Sequence, residues 1–227
     1  MLSGYALDRF LALGCTSCLK TTSKMKSPLE LDAIIFDMDG VLIDTEPLYT
    51  VAYDRVMAPW GITLDPETKR EIMGRPPSVS IPHVIKKYGL EISPEEFAAR
   101  RKPVMDELFE NVPPIAGAPE LVHRLKAAGK PLAVATSTFS DLFLQKTKDH
   151  DWFSLFDVIV KGDDPELKMP KPAPDIFLLA AKRLGVSIER CGVFEDSPAG
   201  LEAAHASGAQ VFAVTRHDTL TQLLKAM

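Results

Sequence analysis

The sequence predicts an α/β fold: a doubly wound parallel sheet with an α-helical block inserted after its first strand. Three observations carry this. From Pro113 onward, short apolar runs alternate with helical patterns, which is how parallel βαβ units with right-handed crossovers read. In the first strand, 31–37, the apolar run Ala33-Ile34-Ile35-Phe36 shows no alternation of polar and apolar residues, as expected of a strand covered on both faces. Between these regions, residues 47–112 read as almost entirely helical, with no convincing strand.

In chain order, Pro47 opens a helix through Tyr53 and Met57, closed by Pro59 and Gly61. Asp65-Pro66-Glu67 is an N-cap for a short helix ending near Gly74, and a further helix spans Ser78–Tyr88 across Pro82. Ser93-Pro94-Glu95-Glu96 combines a serine cap, a proline at the first position and a glutamate three residues on, starting a helix to about Glu110. Helix Pro119–Ala128 stops at Gly129, and strand Pro131–Thr136 follows. Next come helix Asp141–Lys148, strand Phe156–Val160 and helix Asp175–Leu184, which Gly185 closes. Strand Cys191–Glu195, helix Pro198–Ser207, strand Gln210–Val214 and a last helical segment, Leu220–Ala226, complete the chain. The division is an N-terminal extension at 1–28, a core from 29–46 and 113–227, and a helical insertion at 47–112.

The 227 residues suffice for one such domain with an insertion. A net charge of −5 argues against a broad nucleic-acid surface, and no window approaches the roughly 18 apolar residues of a membrane span. Three cysteines, an odd count, do not form a disulfide framework, so a reducing, cytoplasmic setting and a monomer are expected. Cys15-x-x-Cys18 has no second ligand pair at zinc spacing. Residues 1–26 carry Arg9, Lys20, Lys24 and Lys26 against Asp8, a weak organelle-transit composition. An extension, or a start at Met25, explains it as well. The five histidines show no metal spacing and read as surface or packing residues, and Trp60 and Trp152 as core anchors.

Asp37-Met38-Asp39-Gly40 ends the first strand. Near strand geometry its two carboxylates fall on one side, roughly 6–7 Å apart along the chain. That spacing suits a cation site, and Asp-x-Asp-Gly is equally good turn chemistry. The other strand ends decide between the two. Strand two ends in Thr136-Ser137-Thr138, Lys171 follows strand three, and strand four ends in Glu195-Asp196-Ser197. Strand C-termini of an open parallel sheet share one edge, where ligands bind. Two aspartates, a hydroxyl cluster, a lysine and an acidic pair therefore converge on that edge. A carboxylate can attack phosphorus, a second acid can move protons, Mg²⁺ needs few carboxylates, and Thr136 and Lys171 can hold phosphoryl oxygens.

These residues resemble the haloacid dehalogenase superfamily. Asp37-Met38-Asp39-Gly40-Val41 matches its first motif, and Thr136, Lys171 and Glu195-Asp196 match the next three in order. The resemblance spans about residues 31–215. It is strongest to the pseudouridine-5′-phosphatase-like group, through Phe36–Thr45, Ile72–Arg75, Gly162–Glu166, Pro172–Phe177 and Val193–Asp196. It implies a Rossmann-like core with a helical cap, and an Mg²⁺-dependent phosphomonoesterase for a small phosphorylated metabolite. Asp37 would be the nucleophile and Asp39 the acid/base. Thr136, Ser137 and Lys171 would bind phosphate, with Arg75 on the cap reading the substrate. Asp37, the Asp39 carbonyl and Asp196 would hold Mg²⁺, with Glu195 in support. Asp39, which must exchange a proton, is expected to have the higher pKa of the two aspartates. Alternatives on the same scaffold are a sugar-phosphate mutase, a hydrolytic dehalogenase and a non-catalytic phosphate-binding protein. Two departures stand out: Pro170 replaces the usual glycine before the lysine, and the chain stops soon after strand five, where either a less complete sheet edge or a truncated sequence is expected.

Overall fold

The computed structural model describes residues 26–72, 75, 77–215 and 219–227. The Cys15/Cys18 pair, Gly74 and His217 lie outside them. Five strands, β1 (Ala33–Phe36), β2 (Leu132–Ala135), β3 (Val158–Val160), β4 (Cys191–Glu195) and β5 (Gln210–Ala213), form one sheet in the order β3-β2-β1-β4-β5. Every pairing is parallel, so all strand C-termini lie along one edge. The doubly wound α/β fold expected from the alternation is the fold present.

Successive side chains of a strand point to opposite faces, and β1 feeds two cores in this way. Ala33 and Ile35 pack with Ala133, Ala135 and Val193 under α7 (Asp175–Leu184) and α8 (Pro198–Ser207). Ile34 and Phe36 pack with Leu132, Val134 and Phe194 against α5 (Ala118–Ala127) and α9 (Thr219–Ala226). On this second face the register aligns Phe36, Phe194 and Phe212 on neighbouring strands. Their rings stack at 4.8 and 4.7 Å, a cross-strand ladder that fixes β1, β4 and β5 in register. Trp152 is buried there with Phe153 and Phe156.

Between β1 and β2 the chain runs through α1 (Glu46–Met57), α2 (Pro66–Ile72), α3 (Pro77–Tyr88) and α4 (Pro94–Leu108). The caps are those the sequence signals: Asp65 Oδ1 accepts from the backbone N–H of Glu67 and Thr68, and Ser93 Oγ from that of Glu96. The four helices close over a cluster of their own that includes Tyr53, Val56, Met57, Val84 and Phe97. Ala52, Met105 and Phe109 instead join the sheet-face core, at the root of the insertion. α6 (Ser140–Thr147) lies between β2 and β3 and buries Phe143, Lys146 and Thr147.

Candidate active site

Asp37 follows β1, and its N–H donates to the Phe194 carbonyl, which extends the strand pairing by one residue and fixes its position. Lys171 Nζ stands 2.5 Å from Asp37 Oδ1, 2.8 Å from Glu195 Oε1 and 3.2 Å from the Ala135 carbonyl oxygen. One ammonium with three donors thus ties together the ends of β1, β2 and β4. Pro170 does not keep the lysine from this position. The ammonium also lies 4.9 Å from the centroid of the Phe177 ring.

Asp39 is held by a second set. Thr45 Oγ1 at 2.7 Å and Lys146 Nζ at 2.6 Å donate to its Oδ1, and Thr138 Oγ1 at 2.7 Å donates to its Oδ2. Lys146 was not expected from the sequence. It comes from a helix rather than a strand end, although a lysine in register with buried Phe143 and Thr147 was a visible signal. Burial raises the proton affinity of Asp39, but Lys146 and the two threonine hydroxyls outweigh it and hold the carboxyl below its ordinary pKa. Asp37 goes the other way. Burial, together with Glu195, Asp196 and Asp39, pushes it well above the ordinary carboxylate range despite Lys171. The expected order of the two aspartates is therefore reversed, because Asp39 has its own buried lysine and Asp37 shares one.

Gly40 turns the chain at φ 79°, and a Cβ there would lie 2.1 Å from Asp196 Oδ2. Asp196 thus packs directly on the loop that carries the two aspartates. Burial and then Glu195 raise its pKa to about 7. Glu195, expected to support a metal, has both carboxylate oxygens hydrogen-bonded. Its Oε2 accepts from the N–H groups of Asp196 and Ser197 and from the Ser197 hydroxyl, while Oε1 accepts from Lys171. The first turn of α8 comes so close that a Cβ on Gly200 would stand 1.6 Å from Glu195 Oε1. This carboxylate braces the helix start and Lys171 beside Asp196.

Thr136 is buried. Its Oγ1 accepts from the Thr138 N–H at 3.1 Å, leaving the hydroxyl proton for another acceptor. Ser137 is exposed at the same edge. Arg75 is exposed beyond the end of α2, and among the described contacts only its backbone N–H is engaged, with the Ile72 carbonyl. The structure brings Asp37, Lys171, Glu195 and Asp196 together, with Asp39 and Thr138 beside them, and among the described contacts none links Arg75 to them.

Among the described residues no three His, Cys, Asp or Glu side chains are grouped to hold a metal ion. The charge of the site nevertheless fits a hard divalent cation. Asp37, Asp39, Glu195 and Asp196 face two ammoniums, Lys171 and Lys146, a formal excess of two negative charges when all four acids are ionised, which adds to burial in making Asp37 and Asp196 hold their protons more tightly here. Mg²⁺ takes one or two carboxylates and completes its shell with carbonyl, water and phosphate oxygens. Asp37 and Asp196 are the carboxylates that would supply such a donor set.

A stability prediction follows from Asp196. Its native pKa of about 7, against an ordinary 3.8, means the folded protein keeps a proton that the unfolded chain loses between those values. Metal-free stability therefore falls as pH rises through that window, and the deficit is complete above it. Asp196→Asn is expected to raise metal-free stability at pH 8 by about 1–2 kcal/mol after solvent screening, with little gain at pH 4. Mg²⁺ should raise the melting temperature of the parent protein at pH 8 more than that of the variant. Equal shifts by differential scanning fluorimetry would contradict this account of the charge.

Comparison with known proteins shows the family of the chain. The family model described as haloacid dehalogenase-like hydrolase matches residues 34–214. The Drosophila melanogaster protein named "Probable pseudouridine-5'-phosphatase" is 42% identical over 184 residues, 79% of this chain and 80% of that protein. The "Phosphorylated carbohydrates phosphatase" of Thermotoga maritima is 40% identical over 182 residues, 78% of this chain and 82% of the relative. The crystal structure of CbbY from Rhodobacter sphaeroides in complex with phosphate superposes with a TM-score of 0.64 at 29% identity, covering 82% of this chain and 89% of that one.

Proposed function

Since the chain belongs to the haloacid dehalogenase-like hydrolases and is a phosphoric monoester hydrolase of the pseudouridine-5′-phosphatase type, we propose that it hydrolyses a small phosphorylated metabolite through an aspartyl-phosphate on Asp37. The observation that carries this reading is the Asp37 carboxylate clamped to Lys171 at the sheet edge, where the same ammonium meets Glu195 and the end of β2.

In the first step a carboxylate oxygen of Asp37 attacks phosphorus, the bond from phosphorus to the ester oxygen breaks, and Asp39 gives its proton to the departing alkoxide. Asp39 then removes a proton from the water that attacks phosphorus, the bond to Asp37 breaks, and phosphate leaves. The Thr45, Thr138 and Lys146 bonds hold Asp39 as a carboxylate, the form the second step needs. The negative charge of an arriving phosphate ester beside it raises its proton affinity, so that Asp39 takes up a proton from solvent before the first step. Thr136 and Lys171 donate to the non-bridging oxygens, and Ser137 borders the same edge. Asp37, Asp196 and the Asp39 carbonyl would hold Mg²⁺, which when bound neutralises the excess charge and shields the phosphoryl oxygens. The block at 47–112 acts as a cap that excludes bulk water, and Arg75 on it reads the leaving group.

Among the described residues no helix is long and apolar enough to cross a membrane. The first candidate substrate is pseudouridine 5′-phosphate, with sugar or polyol phosphates after it. A phosphate-release assay over a panel of such compounds, with and without EDTA, tests the reading. One metabolite should lead by at least about tenfold in kcat/KM, a margin that cap contacts supply readily, and chelation should abolish release. Isomerisation of a sugar phosphate without net release would favour a mutase instead. Arg75→Ala should narrow the spread across the panel while leaving aryl-phosphate hydrolysis near its parent value, and equal losses on both would remove Arg75 from recognition.

A further inference from the structure

Lys146 is 2% exposed, on the inward face of α6. A buried ammonium is costly unless its protons and its charge are all satisfied, and here they are. Its three protons meet Asp39 Oδ1 at 2.6 Å, Tyr49 Oη at 3.3 Å and Thr138 Oγ1 at 3.4 Å. The ring of Phe109 lies 4.6 Å from the nitrogen and that of Tyr49 5.6 Å. Thr138 donates in turn to the other Asp39 oxygen, so lysine, threonine and carboxylate close a ring of contacts that fixes the carboxylate plane. Tyr49 sits on α1, the first helix of the inserted block, and its edge meets the Phe109 ring beyond the end of α4. One side chain therefore links the Asp39 carboxylate to both ends of the insertion.

We propose that Lys146 is a positioning residue for proton transfer, fixing the orientation of the Asp39 carboxylate and tying it to the seating of the helical block through Tyr49. The proposal rests on the acid/base role proposed above for Asp39. Lys146 touches neither Asp37 nor any phosphate ligand except through Asp39 and the Thr138 loop, so its loss should be felt where a proton moves. Phosphorylation by an ester whose leaving group departs as a stable anion needs no acid, whereas an alkyl ester needs one. Dephosphorylation needs a base with either substrate.

The test uses Lys146→Met in the full chain, with far-UV circular dichroism and a melting curve to establish folding. Stopped-flow with p-nitrophenyl phosphate should show the nitrophenolate burst within about threefold of the parent, with steady-state turnover lower by about ten- to a hundredfold, the range of a displaced acid/base group. With glycerol phosphate the first turnover itself should slow by a similar factor, with KM little changed. Equal losses in burst and turnover, or no loss in either, would overturn the proposal. If the methionine variant does not fold, Lys146→Gln carries the same readouts and the same two outcomes. Asp39→Asn is run alongside. If it is unaffected, the acid/base assignment falls and this proposal with it; if only the Lys146 variant is unaffected, this proposal alone falls.

Discussion

Asp37→Asn should lower kcat by at least about 10⁴-fold, the scale seen when a covalent nucleophile is removed. An amide oxygen is nearly isosteric with the carboxylate it replaces but is far less nucleophilic. The change leaves the fold little reason to fail, because Lys171 keeps Glu195 and the Ala135 carbonyl as acceptors. It also removes one of the crowded negative charges that burial and Glu195 penalise, so the variant should melt no lower than the parent at neutral pH. Single-turnover phosphate release measures the first effect. Acid-quenched intact-mass analysis should find a phosphorylated species in the parent and none in the variant. Activity within tenfold of the parent would move the nucleophile elsewhere.

Lys171→Met should be the most damaging single change to stability. Glu195 is 1% exposed and Asp37 7%, and Lys171 is the ammonium bound to both. Removing one partner of a buried ion pair leaves an uncompensated charge and destabilises by about 3–5 kcal/mol. The sign with pH can be checked. Without the lysine Asp37, which burial already makes hold its proton more tightly when folded than when unfolded, does so more strongly still, so the deficit is largest above neutrality and shrinks as acid protonates it. Urea midpoints at pH 8 and pH 5.5 should therefore converge on those of the parent at the lower pH. Activity should fall about 10³-fold or more even where the variant folds, since a donor to the transferring phosphoryl group is gone. A variant as stable as the parent at pH 8 would mean that these carboxylates do not carry charge in the native state.

The strands and site positions were legible because both depend on patterns local to the chain. Apolar runs ended by polar residues mark strand C-termini, and a parallel sheet brings those ends to one edge whatever the loops do. The short strand-end cluster Thr136–Thr138 was legible for that reason, although the bond from Thr138 to Asp39 was not. Lys146 escaped because it reaches the site from the side of a helix, where a lysine ordinarily extends its stem toward water. The reversed proton affinities of Asp37 and Asp39 escaped for the same cause, since they depend on how two lysines are shared among four acids. Glu195 read as a metal support because sequence shows a carboxylate beside Asp196. It cannot show that Gly200 lets a helix close onto that carboxylate.

The reach of Lys171 has a consequence for the chain as it is made. Asp37 leaves the ribosome 134 residues before the lysine that holds it, and Glu195 follows 24 residues later still. A nascent chain that has completed the helical insertion and two strands already displays its nucleophile, but with no ammonium to orient it and no Asp196 beside it. On the mechanism proposed above, hydrolysis would start only once β4 has paired with β1, so the onset of phosphate release would mark completion of the sheet.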